Sequence, residues 1–222
     1  MRLKKKTYIL IICIVILLSF SVVGTVAWLT DSTESTSTFS VGMVDIDLNE
    51  TDVDEDGNTK GNTYKVVPGR KYVKNPTVTI AAGSEEAYVR MLLHIHNASA
   101  VRDVIVNSKN EMKTFVDMLG GLEVDAWKMN KLTQDINKDI VTYEFHYKTT
   151  VSGRDENGNP LTKDVVLEPL FAELRIPENL NSDELKKLEE GGFKIVVEAH
   201  AMQQYGFKNA AGAWAAFEKE VN

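Results

Sequence analysis

Three groups of residues in this chain have types and spacings that could do chemistry. The first is Asp52-x-Asp54-x-Asp56-Gly57, three carboxylates at alternate positions followed by the glycine that a calcium loop uses for its sharp turn. Its twelfth position is Thr63, so the bidentate glutamate that closes a Ca²⁺ cage is missing, and a solvated Asp/Asn/Gly hairpin tip accounts for the same residues. The second is His94-x-His96. Alternate residues of a strand share a face, so two imidazoles can reach one Zn²⁺, with His146, His200 or Glu198 as further ligands if a sheet gathers them. Nothing reads H-E-x-x-H, and no helical glutamate follows a histidine to act as general base, so four polar-face strand histidines are the plainer reading. The third is a nucleophile, and here the residues are lacking. The one cysteine, Cys13, lies in an apolar N-terminal run, and no serine sits in a G-x-S-x-G elbow. The pairs Gly120-Gly121 and Gly191-Gly192 follow expected helices and fit C-caps better than phosphate cradles. The expectation is therefore no catalytic residue and no cofactor, with Ca²⁺ at Asp52, Asp54 and Asp56 and Zn²⁺ at His94 and His96 as the metal alternatives.

The elements that would position such residues begin with an N-terminal leader. Lys4, Lys5 and Lys6 precede an uncharged run from Tyr8 to Val23, and Thr25-Val26-Ala27 follows with small residues suited to a signal peptidase. This pattern predicts an export signal over residues 1–27 with cleavage after Ala27, leaving Trp28 first. A retained anchor is the competing reading, because no charge occurs from Thr7 to Thr30 and a helix of that length reaches across the ~30 Å hydrocarbon core. Removing Arg2, Lys4, Lys5 and Lys6 takes the formal charge of −7 to about −11. A surface this acidic, with no basic patch, excludes nucleic acid and anionic lipid as partners and leaves the membrane reachable only through the uncleaved leader. With Cys13 in the leader, the remaining chain has no disulfide and depends on its core alone.

Beyond the leader the periodicity is that of strands. Val44, Ile46 and Leu48 alternate with Asp45 and Asp47; Val78 and Ile80 follow Asn75-Pro76; Pro68-Gly69 marks a turn. Ala87 to His96 is the clearest strand, with Val89, Met91, Leu93 and Ile95 on one face and Tyr88, Arg90, Leu92, His94 and His96 on the other. Val141, Tyr143, Phe145 and Tyr147 give a strand with an aromatic face, Asp155 to Pro160 an Asn-Gly turn, and Phe193 to Met202 a last long strand. Pro169 and Pro177 bracket a strand and place it at an edge or a kink. Helices are expected over Met112 to Leu119, capped by Ser108 or Asn110; over Asp183 to Glu190, capped by Asn181 or Ser182; and at the C-terminus, through the spacing of Ala210, Ala213, Trp214 and Phe217. Without βαβ alternation, eight to ten short strands predict a mainly β, antiparallel sandwich over residues 40–222, with a helical insertion near 101–139. Between leader and sandwich lies an arm, residues 28–39, that is threonine-rich and β-compatible but has no apolar face, so the domain has little reason to fold it onto itself.

The junction Gly24-Thr25-Val26-Ala27-Trp28-Leu29-Thr30-Asp31 followed by Thr38-Phe39, Gly42, Asp45 and Leu48 resembles the start of proteins of the TasA/camelysin-like family, whose signals are handled by a SipW-type signal peptidase. The segment V-P-G-x-x-Y-x-K-N-P-x-V with A-Y-V-R, and the C-terminal I-V-V-E-A-H-A-M-Q-Q-Y-G-F with A-W-A-A-F, extend that likeness; residues 101–139 show little of it. Leu29-Thr30 departs from the junction pattern, which shifts the expected cut by up to a residue. The resemblance implies a jelly-roll-type sandwich in a secreted, non-enzymatic subunit of biofilm-matrix or cell-surface fibres of a Gram-positive bacterium. Self-association would run through an arm that includes Trp28, Leu29, Thr36, Thr38 and Phe39, and other matrix components are further partners. A camelysin-like surface metallo-endopeptidase is one alternative and a monomeric surface adhesin another.

Overall fold

The computed structural model of the chain describes residues 30–33, 44–51, 66–107, 112–190 and 193–221. Its strands in chain order are Thr30–Thr33 (β1), Ile46–Asn49 (β2), Lys71–Val73 (β3), Thr77–Ile80 (β4), Ala87–His96 (β5), Leu119–Gly120 (β6), Trp127–Asp135 (β7), Ile140–Tyr147 (β8), Val165–Val166 (β9), Glu173–Arg175 (β10) and Lys194–Gln203 (β11). The helices are Ala98–Asn107 (α1), Ser182–Glu190 (α2) and Ala210–Val221 (α3).

Alternation of apolar and polar side chains gives β5 two unlike faces, and this strand is the centre of the fold. It lies in the middle of a five-stranded antiparallel sheet of order β1-β11-β5-β8-β7. Val89, Met91, Leu93 and Ile95 are all at most 2% exposed. Met91 stands between Ala199 and Phe145, and Leu93 between Val197 and Tyr143. Two small antiparallel sheets, β3-β10-β6 and β2-β4-β9, supply Tyr72, Leu174 and Leu119 and Ile46, Val78 and Ile80 to the same core. The expected mainly β, antiparallel, sandwich-like character is therefore present, built from three sheets.

Several local expectations hold. Asn157-Gly158 forms the tight turn, with Gly158 at φ +80° and the Asp155 carboxylate accepting the amides of Asn157 and Asn159 at 2.9 and 2.8 Å. Asn181 caps α2: its side-chain oxygen accepts the Asp183 and Glu184 amides at 3.0 Å, and Glu184 returns to the Asn181 amide at 2.8 Å.

Others are corrected. Met112 to Leu119 is not an α-helix; only Phe115–Met118 turn, as a 3₁₀ segment, before Leu119 and Gly120 leave as β6. The Asp117 carboxylate binds the Lys113 and Thr114 amides, both at 2.8 Å, which ties the segment into a tight loop. Leu119 then pairs with Leu174. The helix lies earlier, at α1, where Val101, Val104 and Ile105 face the core. Its start is fixed from outside, because the Ser99 amide and hydroxyl donate to Asp139 and the Ala98 amide to the Asp139 carbonyl. Residues 101–139 also hold an unexpected strand, β7, concealed in the sequence because nearly all of it is exposed and so lacks alternation. Finally β10 is the central strand of its sheet and not an edge; its paired span is three residues long, and Pro169 and Pro177 fall outside it.

Candidate functional site

The outer face of the large sheet gathers the chain's ionisable strand residues around Arg90. Register sets this arrangement: β5 places Arg90 between His200 of β11 and His146 of β8. Arg90 is only 3% exposed. Its Nε donates to Nδ1 of His200 at 3.1 Å, one terminal nitrogen lies 3.6 Å from Glu144, and the other lies 2.8 Å from Glu218 of α3. The guanidinium also stacks under Trp214 at 4.4 Å and Phe217 at 4.8 Å, both from α3. His200 packs its ring 4.7 Å from Phe217, and His146 sits 5.7 Å from Trp214.

These contacts fix the protonation states. Burial, then the Arg90 charge, push His200 down to about 4, so its Nδ1 accepts from Arg90 as a neutral imidazole. The hydrogen bond from His146 at 2.5 Å, helped by the Arg90 and His146 charges, holds the Glu144 carboxyl below its ordinary value against the opposing effect of burial. Desolvation and then Lys194 lower His96. The groups thus satisfy one another and dock the C-terminal helix; a buried charge without such partners would be strongly unfavourable. The outer face, anticipated as a polar strand face, is covered at this end by α3, and Met202, Ala213, Trp214 and Phe217 form a second small core there.

The candidate zinc residues share this face but divide between different partners. His94 accepts or donates at Nδ1 to the Thr142 hydroxyl at 2.8 Å, and its Nε2 lies 3.3 Å from Glu198, which is 3.8 Å from His200. His146 turns to Glu144, and His96 stands at the strand end opposite Lys194. Among the described residues no three His, Cys, Asp or Glu side chains converge as metal ligands do. The candidate calcium residues Asp52, Asp54 and Asp56 lie outside the described residues.

The second place of interest is the edge of the sheet beside β11. There β1 runs antiparallel with Thr30 opposite Met202, Asp31 opposite Ala201, Ser32 opposite His200 and Thr33 opposite Ala199. This corrects the expectation that the arm does not fold onto its own domain. The strand reads Thr-Asp-Ser-Thr, with no apolar residue, and it joins the sheet through antiparallel pairing with the edge of β11. Thr25, Ala27, Trp28, Leu29, Thr36, Thr38 and Phe39 lie outside the described residues.

Sequence reasoning missed the union of Arg90 with Trp214 and Phe217. The available signal was an arginine inside the most apolar strand, together with a terminal helix carrying aromatics three residues apart. No protein-family model, no curated protein and no solved structure matches the chain.

Proposed function

We propose that the chain is an exported structural subunit of extracellular biofilm-matrix or cell-surface fibres, of the TasA/camelysin-like kind that its sequence resembles, with a jelly-roll-type domain and no catalytic role. In this reading a SipW-type signal peptidase cuts near Thr25 and Ala27, and the released chain begins at or close to Trp28. The observation that carries the proposal is β1, three residues beyond that junction, paired antiparallel along the edge of β11.

A strand held this way is exchangeable. The same ladder can form between the arm of one copy and the β11 edge of the next, and each net hydrogen bond contributes about 0.5–1.5 kcal/mol in either arrangement. Because the arm and the edge are different surfaces of one chain, the exchanged contact is head-to-tail and extends into a filament. Before cleavage the leader tethers the arm and opposes exchange. The chain beginning at Trp28 should polymerise, and a chain beginning at Ser40 should fold but stay monomeric. Light scattering and electron microscopy that find the same filaments from the shorter chain would remove the arm from assembly.

A further inference from the structure

At the far side of the sheet from β1 lies a second edge, β7, and its chemistry is different. From Lys128 to Gln134 every residue is exposed, although the strand is paired to β8 on its inner side except at Asn130. Only its first residue is tied elsewhere, the Trp127 amide donating to the Glu123 carbonyl at 2.8 Å; from Lys128 to Asp135 no backbone hydrogen bond joins the outer edge to any other described segment. Met129 is 51% exposed, Leu132 55% and the adjoining Ile136 81%. An open edge from Lys128 to Gln134 bearing apolar side chains forms a template for another strand.

Natural edges are commonly guarded by lysine and by bulges. Here the bulge at Asn130 falls between Met129 and Lys131 and leaves Lys131 to Asp135 regular. Across β8 this stretch has Lys131, Thr133 and Asp135 on the outer face, opposite Glu144, Thr142 and Ile140. Leu132 and Gln134 are on the inner face, opposite Tyr143 and Val141.

We infer that this edge binds the same edge of a second copy, the two β7 strands pairing antiparallel about a two-fold axis through Thr133. A two-fold axis normal to a sheet keeps each residue on its own face, so only residues of like face oppose one another. Centring on Lys131 sets lysine against lysine, and centring on Asp135 sets aspartate against aspartate; like charges directly opposite destabilise a ladder. Centring on Thr133 sets Lys131 against Asp135 twice, Thr133 against itself, and Leu132 against Gln134 twice. The two Leu132 side chains then become diagonal neighbours within reach of each other. This register alone uses both charges favourably, so the lysine that would guard the edge against other strands selects this partner. The contact is small, weak for a free chain, and gains effect where copies are already arrayed, pairing subunits side by side. It uses neither the arm nor the β11 edge and does not depend on the fibre reading.

Disulfide trapping tests the register. In the full chain carrying Cys13→Ser, Thr133→Cys should form a covalent dimer under mild oxidation, since its Cβ would stand about 4.5–5.5 Å from its own copy. Lys131→Cys, well separated from its copy in this register, should not. Adding Lys131→Glu to the Thr133→Cys chain replaces two ion pairs by two repulsions and should cut the yield by about tenfold. All these positions are exposed, and circular dichroism confirms the fold of each variant. Equal trapping at positions 131 and 133, no trapping at either, or a yield indifferent to Lys131→Glu would each overturn the proposal.

Discussion

Protonating His200 should release the C-terminal helix, and the size of the effect can be worked from the structure. The imidazole is 8% exposed. Arg90 from β5, Glu198 on its own strand, Glu218 from α3 and, further off, His94 face it; Glu144 and His146 of β8 reach it only through Arg90. Burial and Arg90 outweigh the carboxylates and bring its pKa from 6.5 to about 4. A lowered histidine binds fewer protons folded than unfolded, so stability is full above the unfolded value and falls as pH drops from 6.5 towards 4. At about 1.4 kcal/mol per pH unit, roughly 3 kcal/mol is at stake, of which about 2 kcal/mol should vanish between about pH 7 and about pH 4.5. Glu144, lowered below its ordinary 4.5, contributes to acid loss only below this window, whereas His96, also lowered, contributes within it. The comparison must therefore be with His200→Gln, whose amide oxygen can still accept from Arg90 but does not titrate. Urea unfolding followed by tryptophan fluorescence at the two pH values should give the parent chain a loss about 2 kcal/mol larger than the variant's. Equal losses in the two proteins would refute the assignment of a neutral, Arg90-bonded His200.

Three further outcomes follow from packing. Phe217→Ala, which removes a ring 2% exposed and stacked against Arg90 and His200, should cost about 3–5 kcal/mol in urea unfolding. Lys74→Ala removes the ion pair that buried Lys74 makes with buried Glu50 at 2.6 Å and should destabilise by more than loss of an exposed pair such as Lys186 with Glu190, which should contribute no more than about 1 kcal/mol. Gly153→Ala drives a Cβ into the backbone of Ala81 and Ser84, where Gly153 also bonds Ser84 and Gly83, and should lower the melting temperature by several degrees or prevent folding.

How much of this was legible depended on burial on one face. The strands β5, β8 and β11 carry alternation because one face meets the core, and α3 announces itself through Ala213, Trp214 and Phe217. Exposure on both faces removed that signal from β7. In α1 the β-branched Val101, Val104 and Ile105 resemble strand residues, and the capping carboxylate comes from Asp139, 40 residues away from Ser99; no local window contains it. The Met112 to Leu119 spacing suits a helix, yet Asp117 and the pairing of Leu119 with Leu174 impose a turn and a strand. The histidines were placed correctly on one strand face, but their partners follow from strand order, which periodicity does not encode. An arm without an alternating apolar face gave no sign of β1, because backbone pairing uses groups that every residue has.

Strand exchange is the central claim, and a cross-link across the β1–β11 ladder tests it most directly. From Trp28 onward the chain has no cysteine of its own, and Asp31 stands opposite Ala201. Two proteins would be prepared in the form beginning at Trp28, one carrying Asp31→Cys and the other Ala201→Cys, then mixed, allowed to assemble and oxidised. Strand exchange predicts a disulfide joining one copy of each, since the partner cysteine is always in another chain. If no mixed disulfide forms although a single chain bearing both cysteines links within itself, the ladder is permanently intramolecular and the proposed assembly is contradicted.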